Sequence, residues 1–212
     1  YPLIEYIASF KKPIILSTGM NSIRTIKKSV KIIESNRIDY ALMHTTNLYP
    51  TPYNLVRLNA LDELRDYFPK AILGLSDHTP DNITSIAAIA KGAKIIEKHF
   101  VDTKKRKGPD ISASIDKKQL KDLIISSKKL FLSIPGKKEL LKEEKKTSRF
   151  AFASVVSIKN ISKGEIFTEK NIWVKRPGNG YFLAEQYYNL LGKKSVSFIK
   201  KNTQIKKRHV KK

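Results

Sequence analysis

Two histidines hold equivalent positions in successive parts of the sequence. His78 ends the stretch Gly74-Leu-Ser-Asp-His and His99 ends the stretch Glu97-Lys-His, and both stretches follow an apolar run. Neutral imidazole is a good ligand for Mn, Fe and Zn, so two such side chains in one pocket could share a divalent ion. Their spacing is not a tight metal-binding motif, so two ordinary histidines, one in a turn and one at a strand end, remain the alternative.

Glu97 adds a carboxylate to this pair. Successive side chains of a strand point to opposite faces, so Glu97 and His99 should face the same side. A carboxylate inside a barrel needs a metal, a cation or a substrate hydroxyl as its partner. Of the other two histidines, His44 can equally be a core residue, and His209 lies in a basic tail that calls for no special role.

The elements that would position these residues alternate between apolar runs and amphipathic segments. Nearly continuous apolar strands that alternate with helices indicate a parallel sheet covered on both faces, as in a β/α barrel or a doubly wound sheet. The predicted strands lie in 13–18, 40–45, 71–76 and 94–100, and the predicted helices span 22–34, 58–68, 82–92 and 117–134.

Polar side chains follow each predicted strand at its carboxyl end. In parallel β/α folds the carboxyl ends of the strands meet at one edge, where the active site is built from the following loops. A shared pocket is therefore expected rather than four unrelated surface loops. The residues at these ends are Ser17, Thr18 and Gly19, the stretch 44–49 (HTTNLY), Ser76, Asp77 and His78, and Glu97 and His99.

The composition changes after Gly136. Residues 136–149 are charged and lack a strand pattern, so they are interpreted as a linker. Residues 150–212 have short alternating runs and Gly-containing turns at 163–164 and 177–180, which favour a small second domain rich in strands.

The overall composition restricts the function. The chain has 212 residues, no cysteine and a net charge of +23, and no apolar run is long enough to cross a membrane. These features fit a cytoplasmic protein. The lysines occur in every segment with little aromatic interleaving, so nucleic acid is not expected as a partner. The tail 200–212 is the best candidate for a polyanion-binding patch, but we interpret it as a solvated terminus.

Several segments together resemble the bacterial N-acetylneuraminate (sialic acid) synthase family over almost the whole chain. The resemblance implies an α/β fold, with the C-terminal half of a (β/α)8 TIM barrel in 1–135, a linker in 136–149 and a small antifreeze-like (SAF) domain in 150–212. The segments that carry the resemblance are HTTNLYPTPYNLVRL, GLSDHT, EKHF, GPDISASID, FAFASVV and WVKRPGNG.

The resemblance also implies a reaction, which condenses phosphoenolpyruvate with N-acetylmannosamine or a related amino sugar to give a sialic acid and phosphate. It implies Mn2+ or Mg2+ bound by His78 and His99, with Glu97 as a catalytic carboxylate near the metal. The substrate-binding residues that it implies are Ser17, Asn47 and Ser76 for phosphoenolpyruvate, and Tyr49, Asp110 and Arg176 for the sugar.

The family forms domain-swapped homodimers, so Arg176 would reach the sugar from the partner's small domain. By residue type alone, Asp110 is equally a turn residue and Arg176 an exposed basic residue. The family's first four β/α units would lie upstream of Tyr1, and they would carry the lysines that hold the phosphate. We therefore interpret the chain as a C-terminal fragment, a split gene product or an incomplete gene model, and we expect it to be weakly active at best by itself.

Two alternatives remain open from the sequence. The first is a synthase for legionaminate or pseudaminate, which would use a diacetamido sugar. The second is an inactive remnant that serves as a polyanion-binding or dimerising module through its +23 charge.

Overall fold

The computed structural model describes residues 1–211 and divides the chain into two compact units. The first unit is Tyr1–Gly136, and the second begins at Lys137. Among residues 1–211, no helix is both long and apolar enough to span a membrane.

The first unit alternates helices and strands. Its strands are β1 (Ile14–Ser17), β2 (Tyr40–Thr45), β3 (Ile72–Asp77) and β4 (Ile95–Lys98). Its helices are α1 (Pro2–Ser9), α2 (Ile23–Ser35), α3 (Ala60–Tyr67), α4 (Ile83–Ala90) and α5 (Lys117–Ser133), with short 3-10 segments at Tyr53–Leu55 and Ile111–Ala113.

The four strands form one parallel sheet in the order β1-β2-β3-β4. Each strand is followed by a helix, and the sheet forms a half-barrel, which confirms the predicted fold class. The register places Thr45 opposite Ser76, and Ser76 opposite Glu97. The polar strand ends therefore lie side by side at one edge, as the alternating pattern predicted.

The two faces of this sheet have different surroundings. On the outer face, Leu42 and Leu75 are almost fully buried in a core shared with the helices. On the inner face, Ile15 and Ile72 are 61% and 49% exposed. Side chains of a strand alternate between the two faces. The same strands can therefore bury apolar side chains against the helices on the outer face and leave others exposed on the inner face.

Local signals fix the helix ends. Asp116 caps α5, because its carboxylate accepts a hydrogen bond from the Gln119 amide at 2.9 Å, and the Gln119 side chain accepts one from the Asp116 amide at 3.2 Å. This reciprocal pair is a capping box. Gly92 follows the end of α4 with φ +99°, a conformation that glycine adopts without the steric cost of a side chain.

The second unit contains α6 (Lys145–Ala151) and an antiparallel pair of strands, β5 (Ser154–Ser157) and β6 (Ile172–Lys175). Helix α6 begins inside the segment that was interpreted as a linker. Around the strands, apolar side chains such as Phe167 and Ile205 are completely buried. Short 3-10 segments lie at Ala184–Gln186 and Lys207–His209.

The interpretation of 200–212 as a solvated terminus was wrong for the residues up to 211; Lys212 lies outside the described part. The Val196 amide donates to the His209 carbonyl, and the Lys211 amide donates to the Lys194 carbonyl. The imidazole of His209 is buried and accepts a hydrogen bond from the Lys206 amide at 3.2 Å. Apolar residues between the lysines, above all Ile205, anchor this segment in the core of the second unit.

Candidate active site

A chain of polar contacts crosses the carboxyl ends of the strands. The hydroxyls of Ser17 and Thr45 are 3.2 Å apart across β1 and β2. On the neighbouring strands, the Ser76 hydroxyl donates to Oε1 of Glu97 at 2.6 Å. The prediction that Glu97 shares the side of His99 is consistent with this bond, because Ser76 and His78 alternate in the same way on β3.

His78 and His99 lie against each other. Their ring centroids are 5.2 Å apart and their planes are perpendicular. Tyr49 stacks on His78 at 4.1 Å and meets His99 edge-on at 5.5 Å. The three rings therefore form one cluster, within which both imidazoles can approach a common small ligand.

The hydrogen bonds of His78 determine which ring nitrogen carries its proton. Nδ1 is 2.9 Å from the Thr46 carbonyl oxygen, which can only accept, so Nδ1 carries the hydrogen. Nε2 of the neutral ring then keeps a free lone pair and lies 3.5 Å from the Ser76 hydroxyl. Metal-binding histidines commonly have this arrangement, with one nitrogen bonded to a backbone carbonyl and the other available to the ion.

Asn47 supplies an unsatisfied acceptor at the same edge, next to the ends of β1 and β2. Its Oδ1 is buried and has no hydrogen-bond partner within residues 1–211. A Cβ added at Gly19 would lie 1.8 Å from that oxygen, so only glycine fits at this position. A buried carbonyl oxygen without a donor is costly, and a ligand that brings a donor or a cation would relieve that cost.

Asp110 reaches the cluster from the loop after β4. Its Oδ2 is 3.7 Å from Nδ1 of His99, which is longer than a hydrogen bond, and its side chain is 52% exposed. A carboxylate at this distance can accept hydrogen bonds from a ligand that enters beside His99. The structure therefore brings eight of the nine predicted site residues to one edge of the first unit: Ser17, Asn47, Tyr49, Ser76, His78, Glu97, His99 and Asp110.

Arg176 is the ninth predicted residue, and it belongs to the second unit. It follows β6 directly and is exposed, next to a turn in which the Gly178 amide donates to the Arg149 carbonyl. Its assignment to the sugar site stays a prediction.

The donor set can be tested for a metal. Within residues 1–211, no group of three or more His, Cys, Asp or Glu side chains is arranged to hold an ion. Two imidazoles, His78 and His99, are in place, and the orphaned oxygen of Asn47 shows that the same edge lacks a positive or hydrogen-donating partner. These residues fit an ion that takes two protein ligands and completes its shell with substrate oxygens and water.

Two charged residues lie directly behind this site: the strand-end pattern had placed Asp77 in the shared pocket, and it had not singled out Lys98. Asp77 and Lys98 form an ion pair at 3.1 Å, and their side chains are 1% and 4% exposed. They are opposite each other in the β3–β4 register. The signal was available, because each is one residue away from an inward-facing residue and must therefore point to the outer face.

Hydrogen bonds explain why a charge is tolerated there. Burial alone would raise the pKa of Asp77, but hydrogen bonds from Ser85 and Thr84 and the charge of Lys98 lower that pKa below its ordinary value. Both hydroxyls donate to Oδ2 at 2.6 Å. Burial lowers the pKa of Lys98, and the charge of Asp77 partly offsets that effect.

His44 is a core residue rather than a site residue. Its side chain points away from the open face, and Nε2 is bonded to the Val56 carbonyl at 2.6 Å. Burial lowers its pKa; the Val56 carbonyl opposes this effect, and the positive charge of Arg57 adds to it.

Comparison with known proteins decides the family. The model of the NeuB family matches residues 1–139. This protein belongs to the NeuB family. Residues 152–211 match the SAF domain, so the second unit corresponds to the small domain that the sequence indicated.

Similar proteins are synthases of acidic sugars. The chain is 39% identical over 209 residues to the N,N'-diacetyllegionaminic acid synthase of Campylobacter jejuni, covering 97% of this chain and 62% of that protein. It is 30% identical to the human N-acetylneuraminate-9-phosphate synthase, covering 97% of this chain and 57% of that protein. The chain thus spans about three fifths of the length of these relatives.

Solved structures show the same fold. The sialic acid synthetase of Leptospira borgpetersenii, solved with citrate, matches with a TM-score of 0.64 and 28% identity over 69% of this chain and 51% of that one. The spore coat polysaccharide biosynthesis protein SpsE of Bacillus subtilis matches with a TM-score of 0.59 and 29% identity over 99% of this chain and 64% of that one.

Proposed function

We propose that this chain provides the metal- and sugar-binding half of a synthase that condenses phosphoenolpyruvate with N-acetylmannosamine, giving N-acetylneuraminate and phosphate. The observation that carries this proposal is the contact between the His78 and His99 rings, 5.2 Å apart, beside the Ser76–Glu97 hydrogen bond. A pair of imidazoles next to a carboxylate and several neutral donors suits the condensation of an anionic enol ether with an aldehyde.

The neutral donors would orient phosphoenolpyruvate. The hydroxyl of Ser17 and the amide of Asn47 can donate to its carboxylate and phosphate oxygens, and the Ser76 hydroxyl can do so in exchange for its bond to Glu97. Donors bonded to anions make strong hydrogen bonds. Ser17 is exposed on the open face, so the anion can reach it without moving the sheet. The phosphate would need cations in addition to these neutral donors.

His78 and His99 would hold the divalent ion, Mn2+ or Mg2+. When bound, such an ion supplies Lewis acid activation of the sugar aldehyde. Imidazole ligands favour Mn2+, because Mg2+ prefers oxygen ligands. Tyr49 keeps the His78 ring in place by stacking on it, and the Thr46 carbonyl holds the proton of that ring on Nδ1.

Glu97 would move a proton. In the reaction, C3 of phosphoenolpyruvate forms a bond to the aldehyde carbon, water adds at C2, and the C2–O bond to phosphate breaks. Glu97 accepts a hydrogen bond from Ser76 and is otherwise exposed to the open face, so its carboxylate can take the proton of the attacking water.

The sugar would be recognised at the edge of the cluster. Asp110 can accept hydrogen bonds from sugar hydroxyls beside His99. Arg176, from the small domain of a partner subunit in a homodimer, would offer its planar set of donors to the N-acetyl carbonyl.

A diacetamido sugar is the second candidate substrate, which would make the product a legionaminate-type acid. The Campylobacter jejuni relative, at 39% identity over 97% of this chain, favours this candidate. Both substrates share the aldehyde and one N-acetyl group, so the same metal and phosphoenolpyruvate contacts serve either reaction.

The proposal can be tested in two steps. First, Mn2+ binding to this chain is measured by the loss of the free Mn2+ electron paramagnetic resonance signal. We expect binding that is lost in His78→Ala and in His99→Ala but kept in Asp62→Asn, whose carboxylate is in an exposed ion pair.

Second, phosphate release from phosphoenolpyruvate is measured with each sugar, using this chain fused to the part of the Campylobacter jejuni relative that its alignment leaves uncovered. Release that depends on a sugar supports the proposal, and the faster sugar identifies the substrate. The absence of both Mn2+ binding and sugar-dependent phosphate release contradicts the proposal.

A further inference from the structure

We infer that the buried ion pair of Asp77 and Lys98 positions His78 and His99, and that it acts through the backbone from the opposite face of the sheet. The catalytic use of the two rings rests on the proposed function, whereas the positioning itself rests on geometry alone. Neither charged side chain touches the open face, so both are positioning residues.

The pair lies directly behind the two rings. Asp77 and Lys98 are opposite each other in the register, at the last position of both strands, and their charged atoms are 3.1 Å apart. His78 and His99 are the next residues along each strand. The ion pair therefore joins β3 to β4 immediately before the two histidines. It thereby restrains the separation of the His78 and His99 Cα atoms.

The same pair holds the backbone on the far side of His78. The carboxylate of Asp77 accepts a hydrogen bond from the Thr79 amide at 2.8 Å, and the ammonium of Lys98 donates to the Thr79 carbonyl. Both neighbours of His78 in the sequence are thus bound into one network. The His78 carbonyl is held as well, since it accepts from the Thr51 amide at 3.0 Å.

Helix α4 anchors this network to the core. Thr84 and Ser85, in the first turn of α4, both donate to Oδ2 of Asp77, and Thr84 is also bonded to the Thr79 hydroxyl at 2.8 Å. Thr79, Ser85 and Asp77 are between 0% and 2% exposed. Both oxygens of the carboxylate are bonded within a buried region, Oδ1 to the Thr79 amide and Oδ2 to Thr84, Ser85 and Lys98, so the strand end has little freedom to move.

Stability alone does not explain such a pair. Replacing a buried ion pair by apolar residues of similar volume is often neutral or stabilising, because the cost of removing two charges from water is large. Apolar residues cannot restrain the orientation of the backbone as hydrogen bonds do, because hydrogen bonds depend on angles as well as distances. A site that needs two imidazoles within a few tenths of an ångström gains from such a directional support.

The test reads the imidazole geometry directly. Two-bond 1H–15N correlation spectra of the 15N-labelled chain report the tautomer and surroundings of each histidine ring. In Asp77→Asn and Lys98→Met, we expect the His78 and His99 ring signals to shift or broaden and Mn2+ affinity to fall at least tenfold. Ser85→Ala, which removes a single bond to Asp77, is expected to cause a smaller shift in the same direction and serves if the first two variants do not fold.

Two control variants separate positioning from stability. Leu75→Ala opens a cavity on the outer face of the same strand and lowers the unfolding temperature, but it should leave the ring signals of His78 and His99 in place. Asp62→Asn weakens two exposed ion pairs, with Arg65 and Lys91, and should leave the ring signals unchanged. Unchanged ring signals in Asp77→Asn, Lys98→Met and Ser85→Ala would overturn the inference, as would equal shifts in Leu75→Ala.

This outcome is independent of the proposed function. If the unmodified chain binds no Mn2+ and its fusion releases no phosphate, the proposed function fails, while the ring spectra still decide whether the ion pair positions the histidines. Conversely, normal Mn2+ binding with unshifted rings in the pair variants rejects the positioning and leaves the proposed function intact.

Discussion

The open and covered faces of the sheet, at its carboxyl edge, carry the same kinds of residues in different environments. On the open face, Glu97 meets Ser76 and remains exposed to solvent. On the covered face, one residue away along each strand, Asp77 meets Lys98 with almost no exposure. Carboxylates, hydroxyls and basic groups occur on both faces, so residue type does not distinguish them.

The degree to which polar groups are satisfied distinguishes the two faces instead, since Ser76 and His78 on the open face are each only 5% exposed. On the covered face, the charges are fully partnered and hold the backbone. On the open face, the polar groups keep unused bonding capacity, such as Nε2 of His78 and Oδ1 of Asn47, which a ligand can take up. The difference teaches that the candidate site residues of this edge are recognised by the bonding capacity that their partners leave free, rather than by charge or by position in a motif.

The strongest test of this comparison removes one charge from each face. Lys98→Met leaves the Asp77 carboxylate buried without a cation, which should lower the free energy of unfolding by about 3–5 kcal/mol. Glu97→Gln, on the exposed face, should change it by less than about 0.5 kcal/mol. Urea unfolding followed by circular dichroism measures both. Equal losses in the two variants would contradict the contrast between the faces.

Adjacent residues of β3 provide a second test. Leu75 is 1% exposed and belongs to the core behind the sheet, so Leu75→Ala should cost about 2–5 kcal/mol of unfolding free energy. Ser76→Ala should cost about 1 kcal/mol, the usual value of one hydrogen bond, although it should reduce any sugar-dependent phosphate release of the fusion strongly. The contrast is supported if Leu75→Ala loses more unfolding free energy than Ser76→Ala, whereas Ser76→Ala loses more sugar-dependent phosphate release than Leu75→Ala.

Gly19 tests the packing of the open face. Gly19→Ala would place its Cβ 1.8 Å from Oδ1 of Asn47, so the Asn47 side chain or its loop must move. We expect a loss of about 1–3 kcal/mol, as for other overpacked positions. Gly164→Ala is a useful contrast in the second unit, because its added Cβ meets nothing within 4 Å and any cost there comes from its φ of +89°. A Gly19→Ala variant as stable as the unmodified chain would show that Asn47 is not held in this place.

The smallest expected effect is the pH dependence from His44. Its folded pKa is lowered by burial, whereas the unfolded chain has a pKa of about 6.5. As the pH falls below about 6.5, the unfolded state takes up a proton before the folded state does, so stability decreases until the lower folded pKa is passed. His44→Gln should flatten this part of the curve, as measured by the midpoint of urea unfolding between pH 7 and 5. His209, whose pKa burial also lowers, should leave a residual slope.

Much of this edge could be predicted from the sequence, because apolar residues recur with different spacings in strands and in amphipathic helices. Apolar runs predicted the four strands in their order along the chain, and the polar residues after these runs predicted the candidate site. Side-chain alternation indicates that Asp77 and Lys98 point to the outer face, but it could not predict their pairing, because only the register places the two residues opposite each other. The tail 200–211 was misjudged for a related reason, since its lysines concealed a few apolar anchors such as Ile205.

The alternation of the two faces limits how this sheet can change. Loss or gain of one residue within Ile72–Asp77 would turn His78 toward the helices and present Asp77 to the open side, because every side chain beyond the change would switch faces. The loops between strands and helices face no such restriction and can vary in length. The strands, in contrast, accept neither insertion nor deletion without reversing their faces.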